Sequence, residues 1–264
     1  MWLLDVSSLE LREFIGTDIP PYVILSHTWS TEEVSFVEMK KAKYREEAKR
    51  KAGFSKTRSS AELSEAINSI FTWYKRAQIC YVYLSDVRRD RNDYNTLTNS
   101  KWFTRGWTLQ ELLAPRDRLF FVGDWTLTNL NLTQYISRIT QIPEPYILGS
   151  KRLEQACVSQ RMFWASHRKT TRSEDWAYSL MGLFDINMPI IYGEGLEKAF
   201  GRLQQEIYST TPDQSIFAWY NSGMTSFRLL ANTPACFRNS RDVMRLRQLT
   251  LRTEKAPISK WRPP

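Results

Sequence analysis

Among the residues between Ser100 and Pro115, the side chain best placed to do chemistry is Glu111. It sits in Trp102-Phe-Thr-Arg-Gly-Trp-Thr-Leu-Gln-Glu-Leu-Leu113, surrounded in sequence by tryptophan, phenylalanine and leucine. On a helix Trp107, Glu111 and Leu112 fall near one another, because residues three to four apart share a face. Such a carboxylate is either exposed beside an apolar stripe or partly buried with a raised pKa. Pro115 ends the helix, since a proline has no N–H for the next backbone bond.

The elements that would position Glu111 read as alternating strands and helices. Tyr22-Val-Ile-Leu-Ser-His-Thr-Trp29, Ile79-Cys-Tyr-Val-Tyr-Leu84 and Leu119-Phe-Phe-Val122 are compact apolar runs of strand length, each closed by polar residues. Short runs of this kind fit strands buried on both faces of a parallel sheet. A helix after Ser59 places Leu63, Ala66, Ile67, Ile70, Phe71 and Tyr74 on one face, and Ser59 with Glu62 has capping-box spacing. Residues 32 to 52 are charged and read as a further helix. Strands alternating with helices imply βαβ units with right-handed crossovers.

Open parallel sheets bind ligands beyond the carboxyl ends of their strands. Ser26, His27 and Trp29 fall at one such end, Asp86 at another, and Arg105, Trp107 and Glu111 on the segment that follows. Arg105 is either a phosphate contact or a helix-flank charge. The two tryptophans are either base-stacking surfaces or core.

The second half reads as mostly helical, with helices over Leu130 to Ile139, Gln155 to Ser166, Glu174 to Phe184 and Leu196 to Tyr208. Thr171 to Glu174 has capping-box spacing. Gly193-Glu-Gly195 lacks the spacing of a phosphate-binding loop and reads as a helix start. Gln214 to Tyr220 reads as a strand, and residues 240 to 264 as a basic tail.

Composition narrows the class. Of 264 residues 42% are hydrophobic and 13% aromatic, which fits a globular chain with a core of large rings. The net charge of +9 is concentrated between Lys40 and Lys56, a run that reads as a solvated helix face rather than a nucleic-acid surface. Three scattered cysteines and two histidines offer no metal-ligand spacing and fit a reducing compartment. With neither a secretory leader nor a long apolar run, the expectation is a cytoplasmic protein without a membrane span.

Taken together, these residues carry a resemblance. The chain resembles the fungal heterokaryon-incompatibility (HET) domain proteins through Pro20-Pro-Tyr-Val-Ile-Leu-Ser-His-Thr-Trp29, Glu62-Leu-Ser-Glu-Ala-Ile67, Tyr81-Val-Tyr-Leu-Ser-Asp86 and Trp102 to Glu111. It continues through Gln160-Arg-Met-Phe-Trp-Ala165, Asp175 to Phe184, Tyr192-Gly-Glu-Gly195 and Asp213 to Trp219. Ser60 to Leu112 is also similar to Toll/interleukin-receptor (TIR) domains, with Trp107-Thr-Leu-Gln-Glu-Leu112 matching their Trp-x-Leu-x-Glu-Leu element.

The resemblance implies a role in non-self recognition that ends in programmed cell death. It also implies a TIR-like or flavodoxin-like parallel sheet flanked by helices, with a mainly helical C-terminal part. The implied division is a HET domain over 1–125, a helical companion region over 126–220 and a short strand and tail over 221–264. Glu111 would be the catalytic residue of NAD glycohydrolysis, with Ser26, His27, Trp29, Asp86, Arg105 and Trp107 around the substrate. NAD would be the substrate and no cofactor is implied. A homo-oligomer or a fungal immune-receptor partner would complete the assembly, and the alternative is a non-catalytic self-associating module. The chain departs from the family in lacking a Trp-x-Asp-Thr-x-Cys-Ile-Asp box, where it has only Lys40 to Ser59. The strand that box would end is an edge strand, so its loss leaves one side of Tyr22–Leu25 uncovered.

Overall fold

The computed structural model describes residues 1–8, 10–14, 16, 18–28, 60–88, 94–128, 132–220 and 228–244. Trp29, the Lys40 to Lys56 basic run, the helix expected over 32 to 52, the Ser59 cap and the tail beyond residue 244 lie outside the described residues.

An N-terminal hairpin pairs β1 (Trp2–Leu4) with β2 (Leu11–Glu13). The main sheet holds β3 (Val23–His27), β4 (Ile79–Leu84), β5 (Arg118–Val122) and β6 (Thr126–Leu127) in that spatial order. The first three are parallel, as their apolar runs imply, and the short β6 returns antiparallel. Side chains alternate across the sheet: Cys80, Val82, Leu84, Phe120 and Val122 are buried, while Val23, Leu25, Leu119 and Leu127 are exposed.

Helix α1 (Ser60–Arg76) crosses from β3 to β4. The next crossover contains α2 (Tyr94–Thr98), a 3₁₀ turn over Lys101–Thr104 and α3 (Thr108–Leu113). Both crossovers step across the sheet in the same direction, so the right-handed rule places both on the same face. That face buries the alternate residues named above. Among the described residues the other face leaves Val23 48% and Leu25 43% exposed, next to a Tyr81–Phe121 edge contact and Trp125 stacked on Tyr83.

The C-terminal part adds α4 (Leu132–Thr140), α5 (Glu144–Ile147), α6 (Val158–Ala165), α7 (Asp175–Tyr178), α8 (Met181–Phe184) and α9 (Leu196–Thr210). One hydrophobic core runs from Ile67 on α1 through the sheet to Phe200 and Phe237.

Three expectations are corrected. The single helix expected across Trp102–Leu113 breaks at Arg105, which is extended and forms a bridge with Lys169. Gly106 N–H donates to Lys169 O at 2.8 Å and Lys169 N–H to Thr104 O at 2.6 Å, so a distant strand-like contact overrides the local helical pattern. The segment Glu174–Phe184 divides into α7 and α8, and Glu174 turns its carboxylate to Gly193 and Gly195 N–H groups at 2.9 and 3.1 Å. Gln214–Phe217 is a 3₁₀ turn rather than a strand, capped by Asp213, which accepts from Ser215 N–H at 3.0 Å.

Gly182 holds α8 against α1. A Cβ there would lie 2.2 Å from Phe71 Cβ and 2.6 Å from Gln110 Oε1. Gly182→Ala is expected to cost about 2–3 kcal/mol by overpacking. A thermal melt should fall by roughly 5–10 °C, and an unchanged midpoint would show that these helices are not tightly packed in solution.

Candidate functional site

Glu111 lies on the fourth residue of α3, where the helix meets the end of β3. Residues on either side of it, Gln110 and Leu112, are buried, so the helix is fixed, and Glu111 is the one residue of α3 that keeps some accessible surface, its carboxyl group lying enclosed. Ser26 Oγ on β3 donates to Glu111 Oε2 at 2.5 Å. Ser26 in turn accepts from Trp102 Nε1 at 2.8 Å. Trp102 is wholly buried, edge-on to Phe103 and Phe120, and cannot turn away. The chain Trp102–Ser26–Glu111 therefore fixes both the serine hydroxyl and one carboxylate oxygen.

Tyr74, on the last turn of α1, places its hydroxyl between Leu25 O, at 3.0 Å, and the Glu111 carboxylate. Its own pKa is pushed up by burial and then by the Glu111 charge. For Glu111, removal from water dominates and raises the pKa above 4.5. The Ser26 and Tyr74 hydrogen bonds and the charges of His27 and Arg105 pull in the opposite direction without overcoming it. The result is an enclosed carboxylate of reduced acidity, held by the Ser26 and Tyr74 hydroxyls.

The remaining residues expected at the site fall into different positions. His27 and Arg105 lie close enough for their charges to act on Glu111. Ser26 is fully buried beneath the carboxylate, where its hydroxyl serves Glu111 rather than an open rim. Asp86 is occupied at both oxygens, by Ser100 Oγ at 2.8 Å and Lys101 N–H at 2.7 Å, and holds the start of the Trp102 turn. Trp107 donates from Nε1 to Asp175 at 3.1 Å, and Asp175 also accepts from Tyr192 OH at 2.9 Å. Trp107 thus joins α3 to the helical part and packs on the core.

Tyr74 and Arg168 enter the site without a sequence motif to single them out, and Trp102, although it opens the Trp102 to Glu111 motif, was not expected among the site residues. The guanidinium of Arg168 is buried and donates to Arg105 O at 2.8 Å and Thr108 Oγ1 at 2.9 Å. Thr108 Oγ1 also contacts Trp102 O at 2.5 Å. Burial lowers the Arg168 pKa to about 9, against the opposing pull of Glu111.

The Gly193–Gly195 loop is a structural clasp. Both glycines have positive φ, 97° and 83°, which a side chain would strain. Between them Glu194 pairs with Arg202 and accepts from Tyr178 OH at 2.7 Å.

Ser26→Ala removes a donor to Glu111 and strands the buried Trp102 N–H. The expected cost is about 1–3 kcal/mol, with the Glu111 pKa moving further up. A raised carboxyl pKa costs stability as pH rises past it, so the loss should be larger at pH 7 than at pH 4. Urea unfolding at the two pH values checks this, and equal losses would mean that Ser26 does not govern Glu111.

Among the described residues no helix is long and apolar enough to cross a membrane. A family model described as a domain of unknown function (DUF8212) matches residues 198–259. No solved structure matches the chain. In an alignment of 228 positions that covers 72% of this chain, the chain is 42% identical to the vegetative incompatibility protein HET-E-1 of Podospora anserina. It spans 16% of that protein's length, so its likeness is to one portion of a vegetative incompatibility protein.

Proposed function

We propose that this chain is a heterokaryon-incompatibility module acting in fungal non-self recognition and programmed cell death, and that it cleaves NAD through Glu111. The similarity to a vegetative incompatibility protein supports the first part. The observation that carries the second is the Glu111 carboxylate, fixed by Ser26 at the carboxyl end of β3 on a residue that keeps part of its surface accessible. A TIR-like or flavodoxin-like origin of the sheet belongs to the same reading, with 1–125 as its catalytic portion and 126–220 as its helical companion.

In this reaction the bond between ribose C1′ and the nicotinamide nitrogen breaks, and the nitrogen keeps the electron pair. Nicotinamide leaves neutral because it was cationic in the substrate. Water supplies the new C1′–O bond and releases one proton, giving ADP-ribose. Positive charge develops on the ribose in the transition state, and a nearby carboxylate stabilises it. Glu111 must be ionised for this, and Ser26, Tyr74, His27 and Arg105 favour that ionised form. Arg105 offers a cation for the pyrophosphate. Chromatographic quantification of nicotinamide and ADP-ribose from purified protein tests the reading. Equimolar products support it, and intact NAD after prolonged incubation with folded protein overturns it.

A second reading, a self-associating signalling module, is favoured by Val23, Leu25, Leu119 and Leu127, which lie exposed on one sheet face among the described residues. Light scattering on wild type and Leu25→Glu separates the two: loss of an oligomer with NAD cleavage intact would assign that face to assembly alone.

A further inference from the structure

Away from Glu111, the corner between α4 and α5, helix α6 and the segment 241–244 surround a cleft of about 510 Å³. That volume falls within the roughly 300–1,000 Å³ of small-molecule sites. None of the described residues that line it belongs to the Glu111 site.

The walls of the cleft are tied down. Ser137 Oγ donates to Ile142 O at 2.7 Å, and Gln141 folds back to donate from Nε2 to Arg138 O at 2.6 Å. Gln141 has a φ of 58°, a left-handed backbone that just after a helix favours glycine or asparagine. A glutamine there carries a conformational cost, and it lines the cleft. The segment 241–244 is held in turn by α6 and its cap: Gln160 Nε2 donates to Arg241 O at 3.4 Å and Cys157 Sγ to Val243 O at 3.1 Å.

Three donors in the lining are uncommitted. The Arg138 guanidinium forms no hydrogen bond or ion pair with the described residues, and the Tyr146 hydroxyl meets no acceptor among them. Arg241 reaches only Asp242, at 4.0 Å with both side chains exposed, a contact of little strength. Burial pushes the Tyr146 pKa above 10, so its hydroxyl stays protonated at neutral pH. Asp242 is the one carboxylate among the described lining residues, against two guanidiniums. Pro143, Trp164 and Met244 supply an apolar side.

We propose that this cleft binds a small organic phosphate with a flat apolar body, of the size and class of a mononucleotide. Arg138 and Arg241 hold the phosphate, which planar guanidinium groups match with paired donors. The apolar body lies against Pro143, Trp164 and Met244. Inorganic phosphate alone would leave most of the volume, and all of that apolar side, unfilled. The site stands apart from the reading of Glu111 and requires no reaction there.

Isothermal titration calorimetry of the purified chain at constant ionic strength tests it, with adenosine 5′-monophosphate, adenosine and inorganic phosphate as probes. Saturable binding of the nucleotide is expected, with adenosine and phosphate each weaker by about tenfold or more. Arg138→Gln and Arg241→Gln should each weaken nucleotide binding by about tenfold, the worth of one charged hydrogen bond. Both side chains are exposed, so the melting temperature should not move. Either control binding as tightly as the nucleotide, or no saturable nucleotide binding below about 1 mM, would overturn the proposal. Nucleotide binding lost in Arg105→Gln but kept in Arg138→Gln would also overturn it, by placing the ligand beside Glu111.

Discussion

Glu111→Gln is expected to lower NAD cleavage by about 100-fold or more while making the protein more stable at neutral pH. The first effect follows from removing the charge that stabilises the oxocarbenium-like state. The second follows from the sign of the pKa shift. Burial raises the folded-state pKa above 4.5. Below 4.5 the carboxyl is protonated in both folded and unfolded chains, so it contributes equally to each. As pH rises, the unfolded chain ionises first, and stability falls until the folded pKa is passed. Glutamine removes that loss. Melting curves of wild type and variant should therefore coincide near pH 4 and separate by pH 7, with the variant higher. The wild-type rate should show an acidic limb whose midpoint lies above 4.5. A variant less stable at pH 7 than wild type would show that the carboxylate is a structural anchor.

The second large effect is expected at Trp102. Trp102→Ala empties a fully buried indole site and should cost about 3–5 kcal/mol, a large part of the 5–15 kcal/mol that typically separates folded from unfolded protein. Trp102→Phe keeps most of the ring contacts with Phe103 and Phe120 but removes the Nε1–H that Ser26 accepts. It should cost about 1 kcal/mol, yet reduce activity disproportionately because the Ser26 hydroxyl is no longer fixed toward Glu111. Urea unfolding and nicotinamide release on the same samples separate packing from alignment. A phenylalanine variant with full activity would show that the Trp102–Ser26 hydrogen bond is not needed to align Glu111.

The strands of the sheet were legible because three apolar runs of strand length ended in polar residues, and they appear as β3, β4 and β5 in parallel register. The α1 helix followed from its regular apolar spacing. That Ser26 and the segment carrying Glu111 share one rim of the sheet was legible from the strand ends, whereas the direct hydrogen bond between them was not. What local pattern could not reveal was imposed from far along the chain. Lys169 breaks the helix expected around Arg105 by pairing with it across more than sixty residues of sequence. Glu174 abandons its own helix start to bind the Gly193 and Gly195 amides. Arg168 has no motif at all, and its importance comes only from the burial of its guanidinium behind α3. Tyr74 and Trp102 were visible as large core rings, but their polar ends acquire meaning only once Leu25, Ser26 and Glu111 converge.

Nicotinamide release from NAD, measured side by side for wild type and Glu111→Gln, is the most direct test of the proposed role of this carboxylate. Turnover by the wild type that disappears in a folded, equally or more stable variant is the predicted result. Equal turnover in both, or none in a folded and assembled wild type, would contradict it.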